Sequence, residues 1–168
     1  FRIPQRRMRL FLVGFKRISH TCLDEAIECI LRQNEPAITV REAWNGLPSD
    51  CESPSTQFHN HEPMLHSSRV KQKISRIKPG TGPLSYRKLD PELPALTLIA
   101  GHSAMPCHYA VDRTITVREA ARIQSFDDDF IFAGGKRSEM NQVANAVPPR
   151  LAQHLANNLK PIIITCTK

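Results

Sequence analysis

The chain predicts an α/β fold, and three observations carry the prediction. Residues 9–15 (Arg-Leu-Phe-Leu-Val-Gly-Phe) form a short apolar run flanked by charge, which reads as a buried strand. Two Thr-x-x-Glu strings, Thr39–Glu42 and Thr116–Glu119, are capping boxes that each open a helix. Near the end, Pro148-Pro149 precedes a helix from Arg150 to about Leu159, and Ile162-Ile163-Ile164 reads as a closing strand.

The remaining elements follow in order. Leu23 to Leu31 carries apolar residues at helical spacing, with Asp24 and Glu25 early enough to favour the positive end of a helix dipole. Pro36 closes that region. The helix capped by Thr39 ends before Gly46 and Pro48. Residues 48–68 are rich in Ser, Pro, His and Asn without periodicity and read as a loop. Residues 69–100 read as a basic stretch followed by short strands, broken by Pro79-Gly80, Gly82-Pro83, Pro91 and Pro94. The hexapeptide Ile-Thr-Val-Arg-Glu-Ala occurs at 38–43 and again at 115–120, but the flanks diverge at once, so two independently capped helix starts explain it.

Composition narrows the partners. With 23 Lys and Arg against 16 Asp and Glu, the net charge is +7 and the pI about 9.5, which favours a polyanion. No apolar stretch is long enough for a transmembrane helix, and residues 1–20 carry too many arginines for a secretory signal. The sequence opens on Phe1 rather than Met, which suggests truncation or processing. Five cysteines (Cys22, Cys29, Cys51, Cys107, Cys166) with no Cys-x-x-Cys spacing argue for reduced thiols in a cytoplasm rather than a disulfide framework or zinc ribbon. Cys22 and Cys29 share one face of their helix and read as core.

Several strings could carry chemistry. In Gln5-Arg6-Arg7-Met8-Arg9, strand alternation sends Arg7 and Arg9 to one face and Arg6 and Met8 to the other. Paired guanidiniums suit phosphate or a polar base edge. In the second capped helix Ala120, Ala121 and Ile123 face a core, while Arg118 and Arg122 share a face as a surface pair or as phosphate contacts. His59, His61 and His66 lack the Cys or carboxylate partners of a tetrahedral metal site, so no metal is expected and a polar loop is the stronger reading.

Pro4–Phe11, Thr116–Ser125 with Phe126, and Gln142-Val-Ala-Asn-Ala-Val-Pro-Pro149 together resemble the closing motifs of the DNA (cytosine-5) methyltransferases, in order and over nearly the whole chain. The resemblance implies the end of a doubly wound, Rossmann-like methyltransferase domain with a small inserted target-recognition region of short strands and loops. Residues 1–47 would close the catalytic domain, 48–113 would form the recognition region with its loop, and 114–168 would hold the recognition-supporting helix, the closing motif and the last helix. It also implies an enzyme using S-adenosylmethionine and double-stranded DNA, of the restriction–modification type in a bacterial cytoplasm.

By the same resemblance Gln5, Arg7 and Arg9 support and orient the flipped base, with Arg6 beside them on DNA. Asn145, Ala146 and Val147 wall the cofactor pocket. Tyr86, Arg87, Lys88, Thr97, His102, Ser103 and His108 are the side chains available to read DNA. The family usually has Gly where this chain has Ala144, and Ala would be strained there if the position needs positive φ. Nothing in the chain resembles the family's cofactor glycine loop, its Pro-Cys nucleophile in context, or its Glu-Asn-Val segment. Pro106-Cys107 copies only the dipeptide, far downstream of where it belongs, so Cys107 is expected to be an ordinary thiol. The chain therefore reads as the C-terminal portion of such an enzyme, inactive alone. A non-catalytic DNA-binding module, or one subunit of a split enzyme whose front half is a separate chain, is the alternative.

Overall fold

The computed structural model describes residues 2–14, 24, 27–28, 30, 35–49, 58–99 and 105–166. The helix expected over 23–31 falls partly outside them; Asp24, Ile27, Glu28 and Ile30 are helical. Cys22, Cys29, Cys51, His102 and Ser103 lie outside the described residues.

The elements run β1 (Gln5–Arg6), α1 (Val40–Ala43), α2 (Ser68–Ser75), a 3-10 turn (Leu84–Tyr86), β2 (Ala95–Leu96), α3 (Val117–Ile123), α4 (Lys136–Asn145) and α5 (Pro149–Cys166). β1 and β2 pair in parallel, Gln5 opposite Ala95 and Arg6 opposite Leu96, and the Pro4 carbonyl takes the Ala95 N–H at 2.8 Å.

Both capping boxes form. Thr39 accepts from the Glu42 N–H, Thr116 from the Glu119 N–H, and each Glu side chain returns to its cap's own N–H. Further free donors of these helix starts are met by carbonyls elsewhere in the chain. The Leu93 and Pro91 carbonyls take the Val40 and Arg41 N–H groups, and the Asn60 carbonyl takes that of Arg118. The two identical hexapeptides then pack together: α1 contacts α3, Trp44 donates Nε1–H to the Glu119 carbonyl at 2.9 Å, and Val40 and Val117 are both core.

One cluster forms the core and draws from all three sequence segments: Val40 and Trp44; Leu89, Ala95, Leu98 and Met105; Ile115, Ala120, Ala121, Ile123, Phe132, Met140 and Val143. Ala120, Ala121 and Ile123 are fully buried, as their spacing predicts.

Three expectations are corrected. The apolar run at 9–15 is not a buried strand over its described part, residues 9–14. Among the described residues no strand lies beside it to take its backbone hydrogen bonds, and Met8, Leu10 and Leu12 are 98%, 84% and 90% exposed. Residues 69–75, read only as a basic stretch, are helical in α2, and between there and residue 99 the described strand is β2 alone. Ile162–Ile164 is helix, not strand. Beyond Pro149, the half-buried positions of α5 fall at 151, 154, 155, 158, 159 and 162, so Ile162 continues a helical stripe that outweighs β-branched propensity. Pro161 sits within this helix without an N–H to donate. Among the described residues no helix is long and apolar enough to cross a membrane.

Candidate functional site

Three separated strings meet at the C-terminal end of α4. Past β1, Arg7 donates from Nη1 to the Ala144 carbonyl at 2.5 Å and to the Leu98 carbonyl at 3.3 Å. Arg9 donates from Nη2 to the Ala146 carbonyl. From the end of α3, the fully buried Gln124 donates Nε2–H to the Val143 carbonyl at 3.2 Å. The last carbonyls of a helix have no intrahelical donor and carry the negative end of its dipole, so cations favour this position. Burial lowers the Arg7 pKa, and the neighbouring Arg9 charge lowers it further. Among the described residues neither arginine has a carboxylate partner. The side-chain amide of Gln5 and the Arg9 Nε are buried with no hydrogen-bond partner there.

Ala144 is helical and 1% exposed, and among the described residues the non-glycine ones with positive φ are Arg2, Asn60 and Ser125. The position therefore needs no glycine in this chain. Asn145 is exposed and lines an open hollow of about 710 Å³ with Gly135, Lys136, Arg137, Ser138, Asn141 and Gln142. Ala146 is half-buried and Val147 exposed, just outside that hollow. An exposed amide among other hydrogen-bonding groups fits the polar amino-acid end of S-adenosylmethionine.

The residues expected to face DNA divide into two groups. Arg6, Arg87 and Thr97 are exposed and line one hollow of about 160 Å³ between β1, the 3-10 turn and β2. Thr97 ties itself to β1 through the Arg6 carbonyl at 3.2 Å, and Tyr86 is half-buried in the turn. Lys88 and His108 turn inward. The Lys88 side chain is 7% exposed and bonds Asp112 at 3.1 Å. His108 is 3% exposed and stacks on Trp44 and Tyr109 at 4.9 and 4.6 Å.

His108 belongs to a buried polar cluster centred on Glu119. Arg113 grips that carboxylate with both Nη atoms, at 2.7 and 2.8 Å, and His108 Nε2 lies 3.7 Å from it. Two backbone N–H groups, of Ala110 and Val111, point at His108 Nδ1, which must accept and so carries no proton. Burial, outweighing the nearby Glu119, pushes the His108 pKa down to about 4. Between pH 6.5 and 4 the unfolded chain therefore binds a proton that the folded one refuses, and this residue makes stability fall as the pH drops through that window. Urea titrations at pH 7 and pH 4.5 should show the loss, and His108→Gln should remove that part of the pH dependence.

Arg118 and Arg122 do not form a surface pair, and Arg118 is closed to phosphate by its burial. Arg118 is 0% exposed and donates to the His59, Asp127 and Phe130 carbonyls at 2.9, 2.9 and 2.6 Å. Arg122 forms a bidentate pair with Asp128 and reaches the Asn45 carbonyl. Cys107 is fully buried beside Lys88, and burial raises its thiol to about 11, so it holds no ready thiolate. In the histidine loop His59 is exposed, His61 bonds Thr116 and the Pro48 carbonyl, and His66 accepts from the Thr114 N–H. No metal-capable cluster occurs among the described residues.

Sequence reasoning missed Gln124 and Asn60. Asn60, at φ 62°, pairs both ends of its amide with the Phe132 backbone at 2.9 Å. An Asn-His turn tip is its one visible signal. Gln124 has none beyond lying in the string that opens at Thr116.

The family model for C-5 cytosine-specific DNA methylases matches residues 1–161. The chain is 32% identical over 170 residues to the type II methyltransferase M1.HphI of Haemophilus parahaemolyticus, covering 93% of this chain and 44% of that protein. It is 30% identical over 173 residues to the type II methyltransferase M.BbvI of Brevibacillus brevis, with 88% and 42% covered. Each match leaves more than half of the relative unspanned. A solved E. coli structure from a prophage, assigned as a DNA modification methyltransferase, shares the fold with a TM-score of 0.69 at 22% identity, over 82% of this chain and 50% of that one.

Proposed function

The chain belongs to the C-5 cytosine-specific DNA methylase family, and on that premise we propose that it is the C-terminal portion of an enzyme that methylates C5 of a cytosine flipped from a specific duplex sequence, in a restriction–modification system. Its fold then completes a doubly wound methyltransferase domain carrying an inserted recognition region. The observation that carries the reading is the convergence of Arg7 and Arg9 on the Ala144–Ala146 backbone, which brings the Gln5–Arg9 string against the Ala144–Val147 string.

In such an enzyme a Cys thiolate adds to C6 of the base, C5 takes the methyl group, and loss of the C5 proton expels the thiolate. S-adenosylmethionine supplies the methyl group when bound. Cys107, buried and held protonated, is unsuited to the thiolate's part. This chain's part is electrostatic. Arg7 and Arg9, without carboxylate partners among the described residues, complement negative charge on the base or its phosphate, and the unpaired Gln5 amide offers it hydrogen bonds. Arg6, Arg87, Thr97 and Tyr86 contact the duplex, and Asn145 holds the cofactor's amino-acid end.

A front half carrying the nucleophile, on the same chain or as a separate subunit, would cover Met8, Leu10 and Leu12, whose exposure favours it. The test is transfer of labelled methyl groups to duplex DNA by the chain alone and by the chain with a family front half. Activity only in the combination is the expected result. Salt-sensitive DNA binding that ignores S-adenosylmethionine, with no transfer in either sample, would mean a binding module instead.

A further inference from the structure

The C-terminal end of α4 is capped by the Ala146 N–H, which bonds the Gln142 and Val143 carbonyls, and is held further by side chains from outside its own string. The Val143 carbonyl takes the Gln124 amide at 3.2 Å, the Ala144 carbonyl takes Arg7 at 2.5 Å, and the Ala146 carbonyl takes Arg9. Arg7 and Arg9 reach across 137 residues of sequence to do so. Asn145 lies between the clamped carbonyls with its side chain on the open hollow. Arg7 Nη1 bonds the Leu98 and Ala144 carbonyls together, so it ties this helix end to the segment after β2, and with Arg9 and Gln124 it fixes the backbone that carries Asn145.

We propose that Arg7, Arg9 and Gln124 are positioning residues for the cofactor wall: they hold the Val143, Ala144 and Ala146 carbonyls and thereby set the affinity for S-adenosylmethionine. This rests on the reading of Asn145–Val147 as that wall, and it gives the base-side arginines a second duty on the cofactor side. Engagement of the base by Arg7 and order at the wall are then linked. Gln124, which lies apart from the DNA-facing residues, belongs to the cofactor site.

The test uses the native protein carrying this chain, with S-adenosylhomocysteine as the probe, read by calorimetry and by hydrogen exchange over residues 140–148. Arg7→Lys keeps the charge but not the fork, Gln124→Met keeps the volume but not the donor, and Asn145→Ala tests the wall itself. Exchange across α3 reports that each variant is folded. Arg7→Lys and Gln124→Met should each weaken the probe roughly tenfold, about what one hydrogen bond contributes net, and speed exchange at 143–147. Asn145→Ala should weaken the probe without speeding that exchange. If Asn145→Ala weakens it while the other two bind like wild type, the positioning role is overturned and the wall reading stands. If wild type and Asn145→Ala bind equally, or the wild type does not bind, the wall reading fails and the proposal with it.

Discussion

Glu119→Ala should cost about 3–5 kcal/mol of folding free energy, because it leaves the Arg113 guanidinium buried without its counter-charge. The two side chains are 8% and 2% exposed and meet through both oxygens. The same carboxylate accepts the Thr116 N–H, so the variant also uncaps α3 at a point where water cannot replace the lost partner. The repeated hexapeptide supplies an internal control. Glu42 occupies the identical place in the α1 capping box, on the surface, with the Thr39 N–H as its bond. Glu42→Ala should lose only what a solvated cap contributes, a small fraction of the Glu119 effect. Urea unfolding of both variants, followed by the single Trp44, measures the ratio. Near-equal losses would mean that the Arg113–Glu119 pair is not buried as described. A double replacement, Arg113→Met with Glu119→Leu, should recover most of the loss, since removing both charges together leaves neither stranded.

That comparison marks how far the sequence could be read. The capping boxes depend on residues three apart, so Thr39, Glu42, Thr116 and Glu119 declare them locally, and the structure has both. The buried face of α3 was legible for the same reason. What the hexapeptide cannot declare is its surroundings: identical strings place one Glu in water and the other among Arg113, His108 and Trp44. Strands suffered most, because a strand exists only by virtue of a neighbour. The run at 9–14 has the composition of a buried strand, but no strand lies beside it among the described residues. Ile162–Ile164 has the composition of a strand, yet its phase with Leu151, Leu155 and Leu159 keeps it helical. At the candidate site the three motif strings were visible one by one. Their meeting at the end of α4 was not, because it joins residues 137 apart through main-chain carbonyls, which every residue possesses.

Arg118 carries the second large expectation, and it turns on the same distinction. In sequence Arg118 and Arg122 are equivalent, four apart on one helical face. In the structure Arg118 is sealed, and its fork holds the His59, Asp127 and Phe130 carbonyls together, tying the 58–61 turn and the segment after α3 to the helix. Burial pulls its pKa below the ordinary arginine value, with the nearby Asp128 charge opposing. Arg118→Met should lose about 3–5 kcal/mol, since three partly buried carbonyls lose one charged donor that ties three segments together. Arg118→Lys should recover less than half of that, because a single ammonium cannot span three carbonyls set for a planar fork. Arg122→Met should cost about 1 kcal/mol, as its partner Asp128 is 38% exposed and water takes over its solvation. Hydrogen exchange locates the damage: Arg118→Lys should speed exchange at 127–132, where Phe126, Phe130 and Phe132 pack within 5.1 Å of one another, and leave α4 protected. Equal losses for Arg118→Lys and Arg122→Met would return Arg118 to the surface, where it would again be available to phosphate.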